Sequence, residues 1–459
     1  MPRDPRQETS PIDPPLLPRP GAGPPILGDA LAWLDRHVNL EAIEAGRAGR
    51  LGLPGLERMR TLLDALGNPE LAYQSVHVTG TNGKGSTTRM CAALLGALGL
   101  SVGQYTSPHL ERLNERLVFG DVEATDEELV GLFGMLGELE RFLGSRGTWF
   151  ELVTAAALSW FADRGADAAV LEVGLGGRYD ATNVATAAVS VVTNVELDHT
   201  EILGSSREQI AAEKAGIVKE GCTLVLGDQD PPISAIFERE AALVGAAAIW
   251  RRGEEFGCDS NRLAIGGRVL DLWTPLGRYQ DVFVPMHGAH QGDNAACALA
   301  GAQAFALVPL REEVVTAALS NVRIPGRLEV VRRRPLVVLD GAHNVAGAAA
   351  VGTALGEDFA AAARVVVVMG CLRGRDPADL LAQLGPGRIA AVVGCRPDSP
   401  RALEPEEIVE AARSLGIASE AFASTSEALR RAIAIADPDD LVLVTGSLYV
   451  VGAARAALA

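Results

Sequence analysis

Short apolar runs of strand length alternate with segments of helical spacing along most of the chain. Strand-like runs fall at 76–79, 101–105, 168–173, 189–195 and 222–226, and helical spacing marks 27–38, 56–66, 86–98 and a segment reaching Phe161. This alternation predicts a mostly parallel sheet flanked by helices, since each parallel crossover needs a covering element. A further group of strands is expected within 249–284. Near 321–327 the helical pattern stops at Pro325-Gly326, and a second alternation begins, with strands at 336–339, 364–369, 389–393 and 441–444. The expected architecture is α/β, with a large domain over 26–322 and a smaller, Rossmann-like α/β domain over 323–459. Ahead of both lies a tail, 1–25, whose nine prolines and lack of apolar period predict disorder.

Candidate chemistry is densest where the first strand runs into Gly80-Thr81-Asn82-Gly83-Lys84-Gly85-Ser86. Three glycines within six residues remove the Cβ atoms that hold a backbone away from a ligand, so successive N–H groups can form an anion nest. The next helix adds its N-terminal donors and Lys84 a mobile charge, which suits a nucleoside triphosphate. The large domain therefore reads as a P-loop ATPase. Gly85 stands where such loops usually carry Ser or Thr, so the hydroxyl is displaced to Ser86.

In an open parallel sheet, ligands gather at the carboxyl ends of the strands. There the chain carries Thr106-Ser107-Pro108-His109, then Glu172-Val173-Gly174-Leu175-Gly176-Gly177-Arg178-Tyr179-Asp180, then Asn194-Val195-Glu196-Leu197-Asp198-His199. If these strands neighbour the phosphate-loop strand, Ser107, Glu172 and His199 face one crevice. Oxygen ligands suit magnesium, and by chemistry alone Asp198 is the better third ligand than His199. The Gly174-x-Gly176-Gly177 run is a poor dinucleotide fingerprint, because Tyr179 stands where its last glycine belongs.

Composition narrows the class. With 459 residues, 48% hydrophobic and 22% charged, the chain can bury two or three cores. Its net charge of −17 opposes nonspecific binding to nucleic acid or anionic membrane, so an anionic substrate needs local positive groups. The six cysteines are scattered without metal or disulfide spacing, and no targeting segment is evident. A cytoplasmic, monomeric enzyme acting on small molecules is expected.

The phosphate loop, Thr106-Ser107-Pro108-His109-Leu110, Glu172-Val173-Gly174-Leu175-Gly176-Gly177-Arg178 and Asp340-Gly341-Ala342-His343-Asn344 resemble motifs of the Mur ligase superfamily, in particular folylpolyglutamate synthase and dihydrofolate synthase. The resemblance runs from about Gly52 to Val450. It implies ATP on Gly80, Thr81, Asn82, Gly83, Lys84, Gly85, Ser86, Asn294, Arg327 and Asp340. It also implies Mg2+ on Ser107, Glu172 and His199, and a second Mg2+ on a carbamylated Lys214. Such a lysine must lose its proton, hence burial or a nearby cation. Thr148, Phe150 and Asp180 would border the folate or pterin, His343 and Ser447 the incoming L-glutamate, with Lys84, Lys214, Asp340 and His343 catalytic. The implied reaction is ATP-dependent addition of L-glutamate to a folate or dihydropteroate carboxylate through an acyl phosphate. Taken alone, Asp293 and Asn294 also read as N-caps of the alanine-rich helix that follows, and Trp149 and Phe150 as core aromatics. The alternatives are another Mur-type amide ligase and a non-catalytic ATP-binding regulatory protein.

Overall fold

Strands buried on both faces carry the architecture, as near-continuous apolar runs do in parallel sheets covered by helices. In the computed structural model, which describes residues 26–39 and 56–458, the first eight strands form one sheet. They are β1 (Gln74–Thr79), β2 (Val102–Tyr105), β3 (Leu117–Phe119), β4 (Val122–Glu123), β5 (Ala168–Glu172), β6 (Ala187–Val192), β7 (Thr223–Leu226) and β8 (Ala248–Arg251). Their spatial order is β4-β3-β2-β5-β1-β6-β7-β8. All neighbours are parallel except the β2-β3-β4 edge.

On one face the helices Lys84–Ala97 and His290–Ala306 share a core with β1 and β6. On the other, the helices Asp126–Leu143 and Trp149–Asp163 pack over β2 and β5. The 149–163 helix is apolar on every side and accordingly buried. The strands β9 (Gly257–Ala264), β10 (Gly267–Thr274) and β11 (Gly277–Val284) make a separate antiparallel sheet in the region of expected strands.

The last six strands build a second lobe: β12 (Glu329–Arg333), β13 (Leu336–Leu339), β14 (Val365–Met369), β15 (Ile389–Cys395), β16 (Ser419–Phe422) and β17 (Leu441–Thr445), in the order β12-β13-β17-β14-β15-β16. Only β12 is antiparallel. Cores lie on both faces of this sheet.

Several expected limits shift. The helix after the phosphate loop begins at Lys84 rather than Ser86, and β6 stops at Val192 rather than 195. The His290–Ala306 helix begins four residues before Asn294, so Asp293 and Asn294 lie inside its first turns and are not its N-caps. The expected tail and Gly52–Gly55 lie outside the described residues. No described helix is long and apolar enough to cross a membrane.

Gly227, just after β7, shows how tightly the sheet edge is packed. A Cβ there would stand 2.5 Å from the Thr193 carbonyl oxygen and 2.7 Å from Cys297 Sγ. Backbone cannot yield as a flexible side chain can. Gly227→Ala is therefore expected to destabilise the protein by about 1–3 kcal/mol, read from the urea midpoint.

Candidate active site

The carboxyl ends of the two large sheets face each other across a cavity of about 370 Å3. All seven residues from Gly80 to Ser86 line it. Gly83 has φ +82°, and a Cβ on it would collide with the Asn294 side chain, which is how the loop enters its helix beside that residue. Asn194 braces the loop, its backbone oxygen accepting from Thr81 N (2.9 Å) and its Oδ1 from Asn82 N (3.0 Å). The first-turn N–H groups of the Lys84–Ala97 helix have no partner four residues earlier and are available to an anion. Lys84 Nζ donates to the carbonyls of Gly80 (3.2 Å) and Thr81 (3.1 Å), which stations its charge over the loop.

Register brings the metal candidates to this point. Val78 of β1 pairs with Glu172 at the end of β5, and Ser107 N donates to Glu172 Oε2 (2.9 Å). Burial pushes the Glu172 carboxyl up, against the charges of Lys84 and Arg327 and the Ser107 N–H. His199 sits at φ +50°, a conformation uncommon outside glycine and seen at functional sites. Burial lowers its pKa to about 4, leaving a neutral imidazole able to bind a cation. Ser107, Glu172 and His199 all line the cavity. Among the described residues no three His, Cys, Asp or Glu side chains form a complete metal cage. This donor set suits an ion that keeps waters and takes phosphate oxygens as its remaining ligands, as magnesium does.

Lys214 ends the Arg207–Lys214 helix and is buried, its Nζ donating to the Gly80 carbonyl (2.7 Å). Burial and, next, the Lys84 charge lower its pKa to about 7. An amine so placed is substantially unprotonated at neutral pH.

The second lobe supplies the opposite wall. Asp340 follows β13 and accepts from Leu328 N (2.9 Å) and Ala342 N (2.8 Å); burial raises its pKa against the Arg327 charge. Arg327, Asp340 and His343 line the cavity. Ser447 does not: it is buried beside the last helix, its Oγ accepting from Val450 N, and the neighbouring Leu448 lines the wall instead.

Asp198 joins the lobes. Its carboxylate accepts from Asn344 Nδ2 (2.9 Å), lies 3.5 Å from His343 Nε2 and is ion-paired with Arg375. Burial raises its pKa, but the His343 hydrogen bond and the Arg375 charge hold it well below the usual range. No sequence pattern marks Arg375. Its contact with Asp198 spans 177 residues, and Gly370-Cys371-Leu372-Arg373-Gly374 carries no recognisable nucleotide spacing.

Thr148, Phe150 and Asp180 do not line the cavity. Thr148 caps the 149–163 helix in a reciprocal box with Glu151, and the Phe150 ring fills the space a Cβ on Gly174 would need. Asp180 accepts from Leu175 N (2.9 Å) and Thr182 N (3.0 Å). Phe150 and Asp180 thus support the Gly174-Leu175-Gly176 wall from behind.

Comparison with known proteins agrees with this geometry. Residues 78–302 match the Mur ligase middle domain, and residues 326–448 the Mur ligase glutamate ligase domain. Dihydrofolate synthase/folylpolyglutamate synthase of Mycobacterium tuberculosis is 37% identical over 88% of this chain and 89% of its own. Folylpolyglutamate synthase of Lacticaseibacillus casei is 37% identical over 87% and 94%. A solved M. tuberculosis folylpolyglutamate synthase, complexed with ADP and AMPPCP, superposes with a TM-score of 0.85 at 34% identity, covering 94% of this chain and 98% of that one. A bifunctional synthase from Yersinia pestis, complexed with AMPPNP and a Mn ion, gives 0.81 at 32% identity over 94% and 98%. An Escherichia coli structure in complex with DHPP and ADP gives 0.81 at 32% identity over 93% and 96%.

Proposed function

Because the chain belongs to the folylpolyglutamate synthase/dihydrofolate synthase family of Mur ligases, we propose that it uses ATP to join L-glutamate to the carboxylate of a folate or dihydropteroate. The observation that carries this reading is convergence. A phosphate loop, a carboxylate with a serine beside it, a depressed lysine and the Asp340/His343 loop of the second lobe meet at one cavity. ADP, DHPP and a manganese ion in solved relatives support the same assignment of substrates and divalent metal.

A carboxylate resists an amine nucleophile, whereas its mixed anhydride with phosphate is electrophilic and carries a good leaving group. Lys84 and the first-turn N–H groups hold the phosphates and stabilise charge on the transferred phosphoryl oxygens. Bound magnesium, held by Ser107, Glu172 and His199, would supply further neutralisation of that charge. Carbamylation would turn Lys214 from a cation into an anion able to hold a second magnesium. Asp340 and Arg327 bring the second lobe to the nucleotide, while His343 positions glutamate, and Ser447, buried behind Leu448, holds the start of the last helix through Val450 N. Closure of the two lobes excludes water, which would otherwise hydrolyse the acyl phosphate. We assign this work to a monomer in the cytoplasm; the six cysteines are all free thiols, which fits a reducing compartment.

Arg375 and His343 converge on the Asp198 carboxylate, which lines the cavity. In this structure the Arg375 guanidinium holds the Asp198 carboxylate, the same chemical group that glutamate presents twice. Arg375→Ala should raise KM for glutamate by about 10- to 100-fold, with a smaller effect on kcat. An unchanged KM in steady-state assays would remove Arg375 from the glutamate site.

The function itself is tested by incubating the protein with ATP, Mg2+, L-glutamate and either dihydropteroate or tetrahydrofolate. The expected result is a product heavier by one glutamyl residue and phosphate release that requires both organic substrates. ATP binding without product from any pterin acid would favour a non-catalytic role.

A further inference from the structure

Two walls of the cavity come from different lobes. One is the start of the His290–Ala306 helix, through His290, Gln291 and Asn294; the other is the Ala346, Gly347 and Ala350 face of the helix Val345–Glu357. Asp358, at the far end of that second helix, is tied to the first wall. Its carboxylate accepts from Arg268 Nε (3.2 Å) and Nη2 (2.5 Å) of β10, and from Gly288 N (3.1 Å), two residues before the His290–Ala306 helix. Arg268 also donates to Glu357 (2.7 Å) and to Asn261 Oδ1 (3.1 Å), and the Asn261 amide donates to the Ala289 carbonyl (2.7 Å). Arg268 and Asp358 side chains are 3% and 1% exposed.

A buried ion pair is a poor way to gain stability alone, because desolvating both charges offsets most of their attraction. It is a good way to fix geometry, since an unpaired partner is strongly penalised. We propose that the Arg268–Asp358 pair is a positioning device that sets the gap between these two walls. ATP affinity then depends on two residues that do not touch ATP. The inference rests on the reading that this cavity holds the nucleotide, with its base between the two helices and its phosphates on the loop.

The test is calorimetric titration of the full chain with ATP and with inorganic tripolyphosphate. Wild-type protein that binds no ATP would overturn the nucleotide reading itself, and this inference with it. If wild type binds ATP, Asp358→Asn is expected to weaken ATP by about tenfold while leaving tripolyphosphate within about twofold. It should raise KM for ATP with kcat at saturation nearly unchanged. Because Asp358→Asn leaves a buried guanidinium poorly paired, the double variant Arg268→Met/Asp358→Leu serves as the second arm. That pair replaces both charges with apolar groups and is expected to fold, yet to lose ATP affinity in the same selective way. A folded double variant with wild-type ATP affinity, or one weakened equally toward tripolyphosphate, would overturn the proposal.

Discussion

Replacing Lys84 by alanine should lower glutamate-dependent phosphate release by about a thousandfold, the scale of losing a transition-state cation in phosphoryl transfer. The fold should be little affected. Among the described residues the Lys84 ammonium hydrogen-bonds to two carbonyls of its own loop, and the helix that follows is held by Met90, Cys91, Leu94 and Leu95 in the core. The variant should therefore unfold at nearly the wild-type temperature while turning over almost no substrate. Measured together, the two readouts separate chemistry from stability. Near-normal turnover would take the phosphate loop out of the reaction.

The second large effect concerns Lys214. Its buried amine, lowered to about 7, is substantially neutral at physiological pH and can react with carbon dioxide. Lys214→Arg keeps a cation in place but offers no amine to carbamylate, so activity is expected to fall by about a hundredfold or more. Lys214→Glu, which restores a carboxylate, should regain part of it. The pH dependence follows from the same group. As pH falls below about 7 the ammonium form dominates, carbon dioxide cannot add, and activity should decline, with added bicarbonate opposing the decline. Intact-protein mass spectrometry under trapping conditions should find the lysine carrying one added carbon dioxide. Full activity in Lys214→Arg would exclude that modification from the reaction.

Contiguity decided how much the chain disclosed. The phosphate loop could be read because strand, glycines, lysine and helix stand within thirteen residues, each demanded by local chemistry. The central parallel strands were equally plain: Val365–Met369 and Leu441–Thr445 are apolar at nearly every position because helices cover both faces. Edge elements were not. The β3–β4 hairpin is very short and β16, Ser-Glu-Ala-Phe, is half polar, so neither has a period to detect. Asn294 reads as a cap but lies inside the helix, where its amide donates to Gln291 and its side chain packs against Gly83 of the phosphate loop. The contacts of Asp198 with Asn344 and Arg375 were invisible for a different reason. They exist only once two sheets face each other, and no local pattern encodes a partner 146 or 177 residues away.

Acyl transfer through a phosphorylated carboxylate leaves a mark that no other use of this cavity would. With the substrate carboxylate enriched in heavy oxygen, each turnover should move one labelled oxygen into inorganic phosphate as each glutamyl amide forms. Amide formation with unlabelled phosphate, or labelled substrate recovered intact beside hydrolysed ATP, would contradict the account.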